Sequence, residues 1–134
     1  EFTNEKGEKE TPVVIHRAIM GTFDRFFAFY LEHTAGDFPL WLSPVQAMLV
    51  PISDRHNEYA KKLAAEMKRH KLRVEIDDRS ERMNAKIRDA ELQKIPLVLV
   101  IGDKEAEAKA VNLRERHVKE QRTLPVSDLI AEMK

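Results

Sequence analysis

Short apolar runs alternate with amphipathic stretches through the middle of the chain. The runs VQAMLVPI, LRVEID and IPLVLVIG, at residues 45–52, 72–77 and 95–102, predict three buried strands. In the stretches between them, apolar residues recur every three or four positions, the spacing of a helix that buries one face. We therefore expect helices over about residues 54–71 and 81–93. The residues expected to face the core are Tyr59, Leu63, Ala64 and Met67 in the first helix, and Met83, Ile87, Ala90 and Leu92 in the second.

After Gly102 the pattern is open to two interpretations. AEAKAVNLRER, residues 106–116, alternates small apolar with charged residues, which predicts a strand with one solvent-facing side after a short turn. The alanines of EAEAKA also suit a helix, because alanine has the highest helix propensity. Of the two we favour the strand. A last helix is expected over residues 126–134, directly after Pro125.

This order of elements predicts the fold class. Strands joined through helices by right-handed crossovers lie parallel, so the first three strands should be parallel to one another. A short turn at residues 102–105 would make the fourth strand antiparallel to the third. The chain is therefore expected to form an α/β fold, a three-layer α/β/α domain with a mixed sheet.

The N-terminal part has a different pattern. Residues 1–10 are charged, with Gly7 as the reversal point, and TPVVIHRAI at residues 11–19 predicts a strand. Thr22 is a suitable N-cap for the helix that follows. Its apolar residues form one stripe, which we expect to be core against a large apolar partner, only part of which a short chain can be expected to supply. The stripe consists of Phe23, Phe26, Phe27, Tyr30 and Leu31.

A linker is expected between these two parts. Pro39 and Pro44 bracket Trp41, and two prolines so close together restrict the path of the chain. Trp41 and Phe38 could anchor the linker by packing. We place the boundary near residue 38, which gives a first unit of residues 1–37 and a domain of residues 38–134.

Composition narrows the classes of function. The 134 residues are 43% apolar and 34% charged, and no apolar run is long enough to span a bilayer. The charged first residues and the absence of cysteine lead us to expect a cytoplasmic protein. The 23 basic and 23 acidic side chains cancel, but basic residues are dense between Lys61 and Arg88. That density permits a nucleic-acid footprint on one face, or is simply a solvated helix face.

Two residues of the first unit are chemically notable. A histidine on a strand, such as His16, is more often a hydrogen-bonded core residue than a ligand. Arg25 is placed in the first turn of an apolar helix, where a cation opposes the helix dipole. We expect Asp24 or an outside anion such as an ATP phosphate to neutralise it.

These residues lie in a segment that resembles a known motif. IHRAIMGTFDRFFAF is similar to motif 3 of class II aminoacyl-tRNA synthetases, in the version of the threonyl-tRNA synthetase family. AGDFPLWLSPVQ resembles that family's junction into its anticodon-binding domain, and residues 78–116 resemble the RNA-facing half of that domain. The resemblance implies that residues 1–37 are the end of a catalytic domain and residues 38–134 an anticodon-binding domain.

The resemblance implies roles for the N-terminal residues. Arg25 corresponds to the motif 3 arginine that contacts ATP phosphate in catalysis, with Asp24 in place of the usual glutamate. His16 corresponds to one of three zinc ligands, of which the other two lie upstream of this segment in the family. Zinc, ATP and Mg²⁺ are thus expected as cofactors of a full-length parent enzyme, and none is expected to bind stably to this chain alone.

The resemblance also implies which residues meet the tRNA anticodon. Unstacked bases expose donor and acceptor edges, which carboxylates and guanidinium groups can bind. The residues that the family places there are Arg88, Lys94, Lys104, Glu105 and Arg114, with Ser80, Arg79 and Asn84 as weaker candidates. For Arg79, Arg82 and Lys86, ordinary exposed ion pairs are an equally good interpretation.

The partners follow from the same resemblance. We expect the parent to be a homodimer that binds tRNA-Thr, threonine and ATP, with no membrane or DNA partner. Motifs 1 and 2 are not in this chain, so we expect it to be inactive alone, with residues 1–37 partly ordered at best or held by a second copy. The alternative is a non-catalytic accessory subunit that binds nucleic acid. A doubly wound small-molecule domain is a poor third choice, since no glycine-rich phosphate loop is present.

Overall fold

The computed structural model describes residues 1–133. The chain divides into two compact units, Glu1–Ala35 and Gly36–Lys134. In the described part, no helix is long and apolar enough to cross a membrane.

The first unit begins with a small hairpin. Strands β1 (Phe2–Thr3) and β2 (Lys9–Glu10) pair antiparallel. The Asn4 side chain accepts hydrogen bonds from the backbone N–H groups of Lys6 and Glu8, both at 2.9 Å. Gly7 adopts φ 81°, which an L-residue rarely tolerates. The reversal predicted at Gly7 is confirmed.

The strand predicted over residues 11–19 is wrong. These residues are exposed and have no regular secondary structure. A strand needs a neighbour to accept and donate its backbone hydrogen bonds. In this unit only β1 and β2 pair with each other, so the β-branched residues of this segment have no strand beside them.

Helix α1 spans Phe23–Thr34, and its predicted N-cap is confirmed. The Thr22 hydroxyl accepts a hydrogen bond from the backbone N–H of Arg25 at 3.4 Å, and Ala35 ends the helix in a left-handed conformation. The expectation that the aromatic stripe is core is wrong, because α1 has no buried residue. The aromatic rings instead stack on each other along the helix, one turn apart. The stacked pairs are Phe23 with Phe27, Phe26 with Tyr30, and Phe29 with His33.

The second unit contains five strands and four helices. The elements are β3 (Ala47–Pro51), α2 (Asn57–Arg69), β4 (Val74–Ile76), α3 (Met83–Leu92), β5 (Leu97–Ile101), α4 (Asp103–Ala108), β6 (Ala110–Glu115), β7 (Gln121–Pro125) and α5 (Val126–Glu132). A short 3-10 turn, Asp54–His56, precedes α2.

The strands form one mixed sheet in the order β4-β3-β5-β6-β7. β3 is parallel to β4 and to β5, whereas β6 is antiparallel to both β5 and β7. The three parallel strands and the antiparallel fourth were predicted, and both predictions are confirmed. β7 was not predicted, because its sequence QRTLP is polar and only Leu124 is buried.

The connection between β5 and β6 corrects the sequence interpretation. It is the short helix α4 rather than a turn, and β6 begins only at Ala110. The Glu105 carboxylate accepts a hydrogen bond from the Gly102 N–H at 3.0 Å, which caps the helix. That cap, together with the alanines, makes the helical interpretation of EAEA correct and the favoured strand wrong for these residues.

Helices cover the two faces of the sheet, which confirms the three-layer α/β/α fold. On one face α2 and α5 contribute Leu63, Met67 and Leu129 to a core that includes Leu49 and Leu99 of the central strands. On the other face, residues of α3 pack against the strands. This smaller core contains Met48, Val50, Ile87, Ala90, Ile95, Val98 and Val100.

Four expected core or anchor residues behave differently. Leu92 is 69% exposed, because it follows the buried face of α3 by two positions. Tyr59 and Met83 are only partly buried, at the edges of the larger and the smaller core. Phe38 is buried as expected, but Trp41 is 72% exposed, so only Phe38 anchors the linker.

Candidate nucleic-acid interface

One face of the sheet is left uncovered at β6 and β7. Arg114 pairs with Val98 and Asn112 pairs with Val100, so both lie on the face that α3 covers over the central strands. Gln121 and Thr123 of β7 lie opposite them on the same face. We call these four residues the polar strand face. The Asn112 amide donates a hydrogen bond to the Thr123 hydroxyl at 3.4 Å.

A groove of about 670 Å³ continues from this face. It lies at the edge of the sheet where β5 begins and β6 ends, and Arg114 and Lys94 both line it. Lys119 from the β6–β7 loop is a further cation, His117 of the same loop also lines the groove, and the acidic residues include Glu91. The basic side chains suit the phosphate groups of a nucleic acid, and the acidic side chains suit the N–H donors of its bases.

Arg116 fixes the wall of this groove. Its guanidinium donates to the Asp37 carboxylate and to the backbone carbonyls of Phe38 and Lys94. The side chain is only 12% exposed, and burial lowers the pKa of its guanidinium. His117 also contacts Asp37, at 2.5 Å. Arg116 therefore connects the end of β6 to Asp37 and Phe38 at the start of the second unit. Arg114, by contrast, faces the groove.

The opposite edge of the sheet carries Lys104 and Glu105. Both are in the first turn of α4, directly after β5; Lys104 is exposed and Glu105 half-buried. One Glu105 oxygen, Oε2, is used in capping Gly102. A Cβ at Gly102 would lie 2.9 Å from that oxygen and 3.0 Å from Ile52 Cδ1. The helix start is tightly packed here, so a side chain at position 102 would displace the Glu105 carboxylate from its capping position.

The same edge contains a cluster that the sequence did not reveal. The Asp103 carboxylate bonds His56 Nε2 at 2.9 Å through one oxygen and Arg55 at 2.5 Å through the other. The hydrogen bond from His56 and the charges of Arg55 and His56 lower the pKa of Asp103. These residues directly follow β3 and β5, which are adjacent parallel strands. Their position after two predicted parallel strands was the feature of the sequence that could have indicated that they lie close together.

The loop after β4 holds Ser80 and Arg79. Ser80 is exposed, but Arg79 is engaged by two carboxylates. It donates to both oxygens of Asp77, at 2.9 and 2.6 Å, and to Asp89 at 2.8 Å. These bonds lower the pKa of the buried Asp77 and raise the pKa of Arg79. For Arg79 the structure has the ion pairs that were one of the two sequence interpretations.

For Lys86 the structure excludes one of the two sequence interpretations. It is 4% exposed, so it cannot form an exposed ion pair. Its ammonium donates to the backbone carbonyls of Asp77 at 3.0 Å and Pro51 at 3.4 Å, where two neighbouring parallel strands end. Arg88 and Asn84 of the same helix are exposed.

The predicted site residues thus do not converge on one pocket. Lys94 and Arg114 share a groove at one edge of the sheet, whereas Lys104 and Glu105 lie at the other edge, beside the carboxyl ends of the parallel strands. The strands between the edges are about five residues long, or roughly 17 Å at about 3.3 Å per residue. An extended polymer suits this surface better than a small ligand does.

The predicted residues of the first unit are both exposed. His16 lies in the irregular segment, and Arg25 lies in the first turn of α1. Among residues 1–133, no three His, Cys, Asp or Glu side chains are grouped so that they could hold a metal ion. His16 with its described neighbours therefore does not provide a zinc site by itself.

Comparison with known proteins agrees with this geometry. Residues 46–134 match the family model described as an anticodon binding domain. The chain is 51% identical, over 98% of its length, to the threonine–tRNA ligase of Deinococcus deserti, of which it covers 21%. It is 53% identical, over 97% of its length, to the threonine–tRNA ligase of Acidobacterium capsulatum, of which it covers 19%. The chain therefore spans about a fifth of the length of these curated relatives.

A solved structure shows the same fold. The RNA binding domain of threonyl-tRNA synthetase from Cryptosporidium parvum Iowa II is 41% identical, with a TM-score of 0.84. The similarity covers 88% of this chain and 30% of that one. The expected relationship to threonyl-tRNA synthetases is confirmed, and with the family model matched over residues 46–134 the chain belongs to the anticodon-binding domain family.

Proposed function

We propose that the second unit of this chain reads the anticodon of tRNA-Thr on behalf of a threonine–tRNA ligase. The observation that carries the proposal is the polar strand face, which no helix within residues 36–133 covers, in a domain that otherwise buries both faces of its sheet. A solvent-facing sheet surface with polar side chains is a suitable surface for unstacked bases.

Each candidate residue has a chemical role in this proposal. The guanidinium of Arg114 donates to base carbonyl or phosphate oxygens, and the free oxygen of Glu105 accepts from a base amino or imino group. Lys94, Lys104 and Arg88 are cations at the two edges and on α3, where they contact the phosphate backbone. Ser80 has a smaller role as a hydroxyl donor or acceptor.

The proposal extends to the parent enzyme. That enzyme joins threonine to tRNA-Thr at the expense of ATP, with Mg²⁺ as a cofactor, acts as a homodimer and works in the cytoplasm. Residues 1–37 belong to its catalytic domain and residues 38–134 to its anticodon-binding domain. Arg25 contacts ATP phosphate there. His16 contributes one zinc ligand only together with residues outside this chain, so no step is assigned to zinc here.

Binding of anticodon stem-loop RNA tests the proposal. The cognate stem-loop of tRNA-Thr and the same RNA with a replaced anticodon are titrated with the chain at two salt concentrations, by fluorescence anisotropy. We expect the cognate RNA to bind more tightly than the RNA with the replaced anticodon at both salt concentrations. Arg114→Ala and Glu105→Ala should each cost about 1–3 kcal/mol of binding free energy with the cognate RNA, the range for base-edge contacts.

A matched control separates base reading from general attraction. Lys61→Ala removes an exposed cation from α2, on the other side of the sheet, and should change affinity little. Binding that ignores the anticodon but falls steeply with salt would leave only an electrostatic footprint. That result would favour the accessory-subunit alternative, which the ligase relatives over nearly the whole chain do not favour.

A further inference from the structure

Helix α4 carries two proposed RNA contacts but has little packing to hold it. It is six residues long and has no buried residue. A helix of this length is not stable by itself, because forming the first turn fixes several residues for few hydrogen bonds. Polar contacts at its start must therefore set its direction. One of these is the bond from Glu105 to Gly102 at its own N-terminus.

The second contact reaches outside the helix. Asp103, the first residue of α4, accepts from His56 at 2.9 Å and pairs with Arg55 at 2.5 Å. Both partners lie in the turn after β3, the strand beside β5. Each carboxylate oxygen has one partner, so Asp103 is held against rotation as well as translation. Bonds of this kind to a charged group are stronger than neutral ones.

The environment of His56 favours a fixed role over solvent exposure. The ring is 5% exposed, and its Nδ1 has no hydrogen-bond partner in the described structure. The single polar contact of the ring is therefore the one to Asp103. A buried polar group with one unmet nitrogen has a cost in stability, which a purely apolar residue of similar size would avoid.

We propose that Arg55 and His56 are positioning residues for RNA recognition. Through Asp103 they fix the first turn of α4 and so orient Glu105 and Lys104 toward the bound RNA. This inference rests on the proposed function, since it concerns how Glu105 meets a base. Neither residue needs to touch the RNA itself.

A double-mutant cycle tests the inference on the full chain. The readout is the ratio of affinities for the cognate stem-loop of tRNA-Thr and for the same RNA with a replaced anticodon. His56→Leu and Arg55→Met should each lower this ratio about fivefold, within the range of coupling between residues in one network. His56→Gln keeps an N–H donor toward Asp103 and should restore most of the ratio. Arg69→Met, on exposed α2 surface, is the control and should leave the ratio unchanged.

The cycle separates positioning from other roles. In a Glu105→Ala background, His56→Leu should have no further effect on the ratio, because the base-reading residue that it positions is gone and Lys104 contacts only phosphate. An equal effect in both backgrounds would overturn the inference. So would a changed melting temperature with an unchanged ratio. Because Arg55 is 67% exposed, Arg55→Met should fold even if His56→Leu does not.

The same data distinguish this inference from the proposed function. If the chain without substitutions does not discriminate between the two RNAs, the proposed function fails and the inference fails with it. If discrimination depends on Glu105 but not on Arg55 or His56, the proposed function stands and the inference alone is wrong.

Discussion

The buried ammonium of Lys86 shows how one residue joins two strand ends. Burying a charge is costly unless hydrogen bonds replace its hydration. Lys86 has the carbonyls of Asp77 and Pro51 as acceptors, and its charge also lowers the pKa of the nearby Asp77 carboxyl. It therefore holds the carboxyl ends of β3 and β4 together, beneath the loop that carries Ser80.

Replacement of Lys86 by methionine should destabilise the chain. Methionine is similarly long and unbranched, but it leaves two carbonyls without their donor, so we expect a loss of about 1–3 kcal/mol in the free energy of unfolding. Urea denaturation measures this, with Lys61→Met on the exposed face of α2 as the control. If the variant is as stable as the unsubstituted chain, the cost of desolvating the ammonium equals the stabilisation that its hydrogen bonds provide.

Asp77 makes stability depend on pH. The bond from Arg79 lowers the pKa of Asp77 in the folded chain, so the folded state binds this proton less readily than the unfolded state. The resulting stabilisation is complete above the unfolded pKa of about 3.9 and is lost as pH falls through the lower folded pKa. The melting temperature should differ less between pH 7 and pH 3 for Asp77→Asn than for the unsubstituted chain. Equal differences would contradict the role of this pair.

At the scale of elements, the central strands and the helices beside them were predictable. The runs around Leu49 and Leu99 are apolar throughout because both faces of a central strand are buried. Elements with little burial were not predictable in the same way. β7 buries only Leu124, and residues 11–19 have apolar side chains without a neighbouring strand.

Helix α4 illustrates a different limit of prediction. Its alternation of alanine with charge fits a period of two, but the capping bond from Glu105 to Gly102 decides for the helix. That bond joins residues three apart, and a capping glutamate at this spacing is a signal that could have been used. For the site, the identities of Lys94 and Arg114 came from resemblance, while Asp103 with His56 required the tertiary contact between two strand ends.

Gly102→Ala tests how α4 begins. The new Cβ would lie 2.9 Å from Glu105 Oε2, so the carboxylate should move away and the cap should be lost. We expect a loss of about 1 kcal/mol in the free energy of unfolding, as for other caps. Glu105→Ala should cost a similar amount, and adding Gly102→Ala to it should cost much less than it does alone. Fully additive losses, measured by urea denaturation, would show that the two residues do not act on one bond.

At the scale of the whole molecule, the two units differ in how much they bury. The second unit has two cores on a five-stranded sheet, whereas α1 in the first unit has no buried residue. Local opening free energies follow buried contacts and protected hydrogen bonds. The units should therefore open separately.

Hydrogen exchange should resolve this difference along the chain. Amides of residues 1–35 are expected to exchange before those of β3 and β5, whose side chains are buried on both faces. Mass spectrometry of peptic fragments after timed labelling measures the order. Protection of α1 equal to that of β5 would show that the aromatic face is covered in solution.

The charges of the whole molecule also bear on RNA binding. The formal net charge is zero, so attraction to RNA must come from where the cations lie. Lys94, Arg114 and Lys119 lie around one groove, with Lys104 at the far edge of the same sheet. The RNA-binding surface is therefore expected to be local and one-sided.

The most direct test of this one-sided surface is a map of amide chemical shifts during titration with the cognate anticodon stem-loop. We predict the largest changes in β6, β7 and α4, and around Lys94, with α2 and α5 unchanged on the opposite side of the sheet. Largest changes in α2 or α5, with the polar strand face unaffected, would contradict the claim that this chain reads RNA on its uncovered sheet face.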